Sequence, residues 1–173
     1  MGGRPSFEAA ATVLTPAERH QEIEAYGWAY DTLVNGLQEF PREMWRFRPS
    51  SDEWSIHELV IHITDSEANS YARCRRFIAE PGSTVMAYDE RQWARALDYH
   101  SQSPEAALEL FRLLRRASYE LIRALPAAVW ANTIEHPENG RMTMDDWLDV
   151  YTRHIPEHVA QMRRVHAAWK ARA

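Results

Sequence analysis

Apolar residues recur every three to four positions in four long segments of the chain, the spacing of helices that bury one face. The first segment follows Thr15, with Ile23, Tyr26, Tyr30, Leu33, Val34 and Leu37 on helical spacing and Pro41 ending the run. Thr15, Pro16 and Glu18 supply an N-cap, a first-turn proline and the acid of a capping box. The second opens at Ser55, with Glu58 at the third helical position, and continues to about Ile78 before "EPGS" stops it. The third starts at Ser103 and Pro104 and carries Leu108, Phe111, Leu114, Leu121 and Leu125 on one stripe. Thr143 caps the fourth, which has acids in its first turn and bases in its last, as the helix dipole favours.

The segments between them read differently. "PREMWRFRPSSDEW" is rich in proline and aromatics and is expected to run across one end of a bundle. "TVMAYDERQWARALDYHSQ" is a long connection with room for one short helix over 89–97; a crossover of this length suits a bundle with a non-adjacent step. "PAAVWANTIEHPENGRM" interrupts the pattern with prolines and a glycine, and no strand pattern exceeds a few residues. The reading is all-α: an up-down four-helix bundle with one long crossover, residues 15–173 forming one domain and residues 1–14 a loose tail.

Composition narrows the function classes. The chain has 173 residues, 45% of them hydrophobic, enough for one globular domain with a core of its own. Its net charge is −5 with acids and bases interleaved, so there is no basic stripe to track phosphates, and nucleic acid is not an expected partner. No apolar run approaches the ~20 residues of a membrane span. "MGGRPS" formally fits a myristoylation pattern and is read as a chance match. Cys74 is the single cysteine, so no intrachain disulfide can form; this suits a reducing cytoplasm. It also excludes a cysteine-rich zinc knuckle, and a metal here would need histidine and carboxylate ligands.

The stretch "RHIPEHV" places His154 and His158 four residues apart, with Pro156 between them. On a helical wheel Leu148, Tyr151, Ile155, His158, Val159, Met162 and Trp169 share a face, and His154 lies at its edge. On the second helix Leu59, Ile63, Ser66, Ser70 and Phe77 share a face, with His62 at its flank. Two small serines within an apolar stripe suggest a cavity beside that histidine. His62, His154 and His158 could thus form a three-histidine metal site with a position left open for water or substrate. The same pattern also fits a hydrogen-bonded core network or a metal brace without catalysis. Pro156 costs its helix a hydrogen bond and is expected to kink it, at ~3 kcal/mol.

Asp65, one turn after His62, is the first candidate for a proton relay, with Glu58 one turn before it as a second. Tyr151 is placed to donate to a substrate oxygen. Cys74, among apolar neighbours, is expected to be buried and inert. His57 reads as a linker or surface residue and His136 as a loop residue near a turn. His20, His100 and His166 have no evident partner.

"DEWSIHELVIHITDSEANSYARCRRFIAEPG", "AYDERQWA" and "HPENGRMTMDDWLDVYTRHIPEHVAQM" together resemble the DinB superfamily, most nearly its YfiT-like branch of metal-dependent hydrolases. The resemblance runs from about Trp28 to Val165. It implies a four-helix bundle binding a divalent ion, zinc or nickel, through three histidines that fall on His62, His154 and His158. Some relatives are S-transferases or isomerases that use a small thiol such as bacillithiol or mycothiol. The resemblance therefore implies a small-molecule substrate and either water or a cofactor thiol as nucleophile, with Arg73 a candidate contact for an anionic thiol. Trp28, Trp45 and Trp93, in excess of what a small core needs, suggest an aromatic homodimer face.

Overall fold

The computed structural model describes residues 13–172. The tail expected over 1–14, and the lipidation motif within it, fall almost wholly outside those residues. Each amphipathic segment buries its stripe against its neighbours. The helices are α1 (Pro16–Gly27), α2 (Ala29–Leu37), α3 (Ile56–Ala79), α4 (Glu90–Ala96), α5 (Pro104–Ile122) and α6 (Met144–Ala171). Four of the predicted start signals are made as hydrogen bonds. Thr15, Ser55 and Thr143 close capping boxes with Glu18, Glu58 and Asp146, and Ser103 accepts from the Ala106 amide.

The four-helix bundle is the one the sequence predicts, and its directions explain the long crossover. Thr64 bonds the Ala107 carbonyl and Arg75 bonds Ser118, so α3 and α5 lie side by side and parallel. The chain must therefore travel back the length of α3 before α5 can begin, and residues 80–103 do this. Arg19 with Asp145 and Arg163 with Glu39 show that α1 and α2 run parallel to α6. Ser66 with His154 and Arg73 with Tyr151 show that α3 and α6 are antiparallel.

Three local differences from the sequence reading have physical causes. The first segment is two helices, broken at Trp28 (φ −80°, ψ 0°) just after Gly27, a poor helix former. A Cβ at Gly27 would lie 2.7 Å from Tyr119 Cε2, so the glycine also permits the close approach of α1 to α5. Residues 133–143 form a small antiparallel hairpin, β1 (Thr133–His136) and β2 (Gly140–Thr143), turning where Gly140 takes φ +70°. Residues 82–85 hydrogen-bond to β1, tying the crossover to the hairpin. Of the tryptophans offered for a dimer face, Trp45 is buried and Trp93 is packed against the core and Tyr88; Trp28 alone of the three is exposed, at 64%.

The core falls into two apolar halves. One gathers Leu33, Phe40, Met44, Leu59, Phe111 and Val159; the other Cys74, Phe77, Ile122, Trp130, Trp147 and Leu148. Between them α3 and α5 bury polar side chains instead: Ser66, Glu67, Ser70, Arg115 and Ser118. The candidate site adjoins this polar layer. Among the described residues no helix is long and apolar enough to cross a membrane.

Candidate metal centre

α3 carries His62 into the bundle, where the residue is 2% exposed, while α6 presents half-buried His154 and His158 from the antiparallel neighbour. The ring centroids of His62 lie 5.8 Å from His154 and 5.0 Å from His158, and those of His154 and His158 are 4.4 Å apart. One ring nitrogen from each histidine lies within 4.8 Å of the others. Trp54 packs against His62 at 4.6 Å between centroids and closes that side. Pro156 stands inside α6 between the two histidines without ending the helix.

The closest approach is His154 Nε2 to His158 Nε2, 3.0 Å. His158 Nδ1 lies 3.0 Å from Gln161 Oε1, to which it donates as Nδ1–H. That bond leaves the Nε2 lone pair of His158 pointing at His154, and something positive, a proton or a cation, must lie between the two nitrogens. Three nitrogens each ~2.1 Å from a shared tetrahedral ion would stand ~3.4 Å apart, within the span found here. His62 Nδ1 is buried without a hydrogen-bond partner among the described residues. Burial first, and the nearness of His158 second, push His62 down to about 3. Burial also holds His154 well below the usual histidine range and lowers His158. All three rings are thus neutral with lone pairs to give, the state a metal ligand requires. The donor set fits a divalent transition metal, and Gln161 is the outer partner that orients one ligand.

Two other predicted residues stand on the helices that carry the cluster, Asp65 on α3 and Tyr151 on α6. Asp65 is half-buried and accepts a 2.6 Å hydrogen bond from the Tyr99 hydroxyl; burial raises its pKa against the pull of that bond. Tyr151 packs its ring edge-on to His154 at 5.9 Å, and its hydroxyl accepts from Arg73 Nη1 at 3.2 Å. Ser66 stands beside the cluster, its hydroxyl 3.5 Å from His154 Nε2.

Glu58, the second relay candidate, is occupied elsewhere. It closes the capping box with Ser55, forms an ion pair with Arg48 and takes a 3.2 Å contact from His100. His57 is not a surface residue. It is 4% exposed, with Nε2 2.9 Å from the Gln102 carbonyl, because the 99–102 turn folds back over the start of α3. His136 is buried at the end of β1, where Nδ1 accepts from the amides of Glu138 and Asn139 and fixes the hairpin turn. Cys74 is fully buried, as expected.

Sequence reasoning missed Tyr99, Trp54 and Gln161. Gln161 was legible, one turn after His158. Trp54 reaches His62, and Tyr99 reaches Asp65, from connections whose paths carry no periodicity.

A four-helix bundle with an inward-facing trio of histidines on two antiparallel helices defines a class of candidate metalloproteins. The profile of the DinB superfamily matches residues 25–162, and the chain belongs to that superfamily. A protein of Oceanobacillus iheyensis named "Putative metal-dependent hydrolase" is 30% identical over 112 residues, 65% of this chain and 64% of that protein. YfiT of Bacillus subtilis, which bears the same name, is 27% identical over 110 residues, 63% of this chain and 62% of its own length. These matches span just under two thirds of each relative. The solved structure of Bacillus subtilis YfiT, described as a probable metal-dependent hydrolase with an unusual four-helix bundle topology, superposes with TM-score 0.85 and 20% identity. It covers 94% of this chain and 93% of that one. A mycothiol-dependent maleylpyruvate isomerase has TM-score 0.67 and 9% identity over 83% of this chain and 60% of its own. These two likenesses establish the fold.

Proposed function

We propose that the chain is an enzyme that holds one divalent ion, zinc or nickel, through His62, His154 and His158 and acts on a small molecule with water or a small cofactor thiol as nucleophile. The observation that carries this reading is the pair of facing Nε2 atoms at 3.0 Å, with the orphaned ring of His62 beside them. A bound divalent ion supplies Lewis acidity and makes water or a thiol acidic near neutral pH.

The chain's own residues do the rest. Gln161 fixes the tautomer of His158. Asp65, its carboxyl raised by burial and steadied by Tyr99, takes the proton released by the nucleophile. Tyr151 and Arg73 orient the substrate. The names of the YfiT relatives favour hydrolysis, and the fold shared with a mycothiol-dependent isomerase keeps thiol transfer beside it.

A purely structural brace would close the ion with four protein ligands. The cluster supplies three among the described residues, which favours catalysis. Metal analysis of untagged protein tests the reading. About one equivalent of zinc or nickel is expected, lost in His62→Ala and His154→Ala; protein that takes up no ion under metal-replete conditions overturns it. Hydrolase and thiol-transferase substrate screens on the loaded protein then separate the two chemistries.

A further inference from the structure

Arg73 is a half-buried cation that meets only neutral oxygens. Nη1 donates to the Tyr151 hydroxyl at 3.2 Å and Nη2 to the Met86 carbonyl at 2.9 Å. Among the described residues it forms no ion pair, whereas Arg19, Arg48, Arg115 and Arg153 each hold an acid. Its positive field reaches Tyr88, Tyr151 and His136, where it is opposed in turn by Glu90, Glu67 and Glu138.

The groups gathered there can all donate. Tyr88 Oη, and Ser70 Oγ one turn before Arg73, are buried without a hydrogen-bond partner among the described residues. Because Nδ1 of His136 accepts two backbone amides, the neutral ring carries its proton on Nε2. A half-buried guanidinium that forms no ion pair among the described residues, with donors around it, is matched by an oxyanion, and the planar fork suits a carboxylate best. Tyr151 links this point to the histidines, since its ring lies edge-on to His154.

We propose that Arg73, with the Tyr151 hydroxyl, anchors the carboxylate of a small organic acid whose other end reaches His62, His154 and His158. The inference rests on the reading of that cluster as the reactive centre. The carboxylate belongs either to the substrate or to the cofactor thiol.

Calorimetric titration with propionate, propionamide and 3-mercaptopropionate tests it, on zinc-loaded protein and on protein stripped of metal. Propionate is expected to bind and propionamide not to. Arg73→Met is expected to weaken propionate about tenfold or more in both metal states, the worth of a charge-assisted hydrogen bond. Arg73→Lys, which keeps the charge and the contact with the crossover, is expected to fall between. If 3-mercaptopropionate binds better than propionate and loses as much in Arg73→Met, the thiol bears the carboxylate; equal binding assigns it to the substrate. Equal affinity for propionate and propionamide, or propionate binding unchanged in both Arg73 variants, overturns the proposal. Metal uptake separates the two failures: a protein that takes up zinc but ignores Arg73 loses only this inference, and one that binds no metal yet needs Arg73 for propionate loses only the metal reading.

Discussion

Arg115 and Glu67 form an ion pair at 2.6 Å in the middle of the bundle, each side chain 1% exposed. The Tyr26 hydroxyl donates to the other carboxylate oxygen at 2.9 Å, and the Arg115 guanidinium lies 3.9 Å from the Tyr26 ring centroid. Arg115 also reaches the Tyr26 carbonyl, beside the α1–α2 break, and the Tyr151 carbonyl in α6. One side chain thus ties α1, α3 and α6 to α5 just below the histidines.

Breaking this pair from one side should be costly. Arg115→Met leaves Glu67 as an unpaired buried carboxylate, and the expected loss is about 3–5 kcal/mol. Replacing both, as Glu67→Leu with Arg115→Met, removes the stranded charge and should recover much of that loss. Urea unfolding of the two singles and the double measures the coupling. Additive effects would show that the pair does not act as a unit.

A second contact sets the spacing of α2 and α6. A Cβ on Gly36 would lie 2.8 Å from Val159 Cγ1, next to His158. Val159 is β-branched and buried, so its rotamer cannot readily swing aside. Gly36→Ala should therefore destabilise by about 1–3 kcal/mol, although alanine is the better helix former. Adding Val159→Ala should relieve the clash, giving a favourable coupling of ~1 kcal/mol or more in a double-mutant cycle. Thermal melts of the four proteins decide it, and a Gly36→Ala protein as stable as the parent contradicts the packing argument.

The contrast between what was legible and what was not follows from these contacts. Caps at Thr15, Ser55, Ser103 and Thr143 are local signals, readable because each satisfies amides within three residues of itself. The histidine trio was legible because helical period fixes direction, so inward-facing His62, His154 and His158 could be found before any contact was known. The parallel pairing of α3 and α5 was not legible, since a stripe of apolar residues says that a helix packs but not which way its partner runs. Arg115 was hidden for a related reason: a charged residue on a helix is ordinarily read as solvent-facing, and only the presence of Glu67 on a neighbouring helix makes its burial possible. Tyr99 and His57 depend on the path of the crossover, which has no period to read.

His57 leads to a pH prediction. Burial lowers its pKa from 6.5, with Arg46 and His100 adding to the effect and the Gln102 and Tyr99 carbonyls opposing it. Below pH 6.5 the unfolded chain therefore binds a proton that the folded chain refuses. The stability tied to a neutral His57 is complete above pH 6.5 and drains away as the pH falls from there toward the folded pKa. Urea midpoints of metal-free protein at pH 7.5 and pH 5.5 should show a fall that is smaller in His57→Gln. Other buried histidines contribute in both proteins, so the difference between them isolates this ring. An identical fall in both would mean that His57 does not titrate as its burial requires.

Cys74 supplies the last test, because a lone thiol in a chain with a candidate thiol-dependent reaction invites a catalytic reading. Its surroundings argue the opposite. The residue is fully buried in the half of the core built by Phe77, Ile122 and Trp147, and burial pushes its thiol up to about 12. A nucleophilic cysteine needs the reverse, a lowered pKa and an open approach. Native protein at pH 8 should therefore resist iodoacetamide, with labelling appearing only as urea unfolds the chain. Cys74→Ala should lose about 1–2 kcal/mol of core packing and keep full metal uptake. Rapid labelling of the folded protein, or loss of the metal with Cys74, would instead place the thiol in contact with the site.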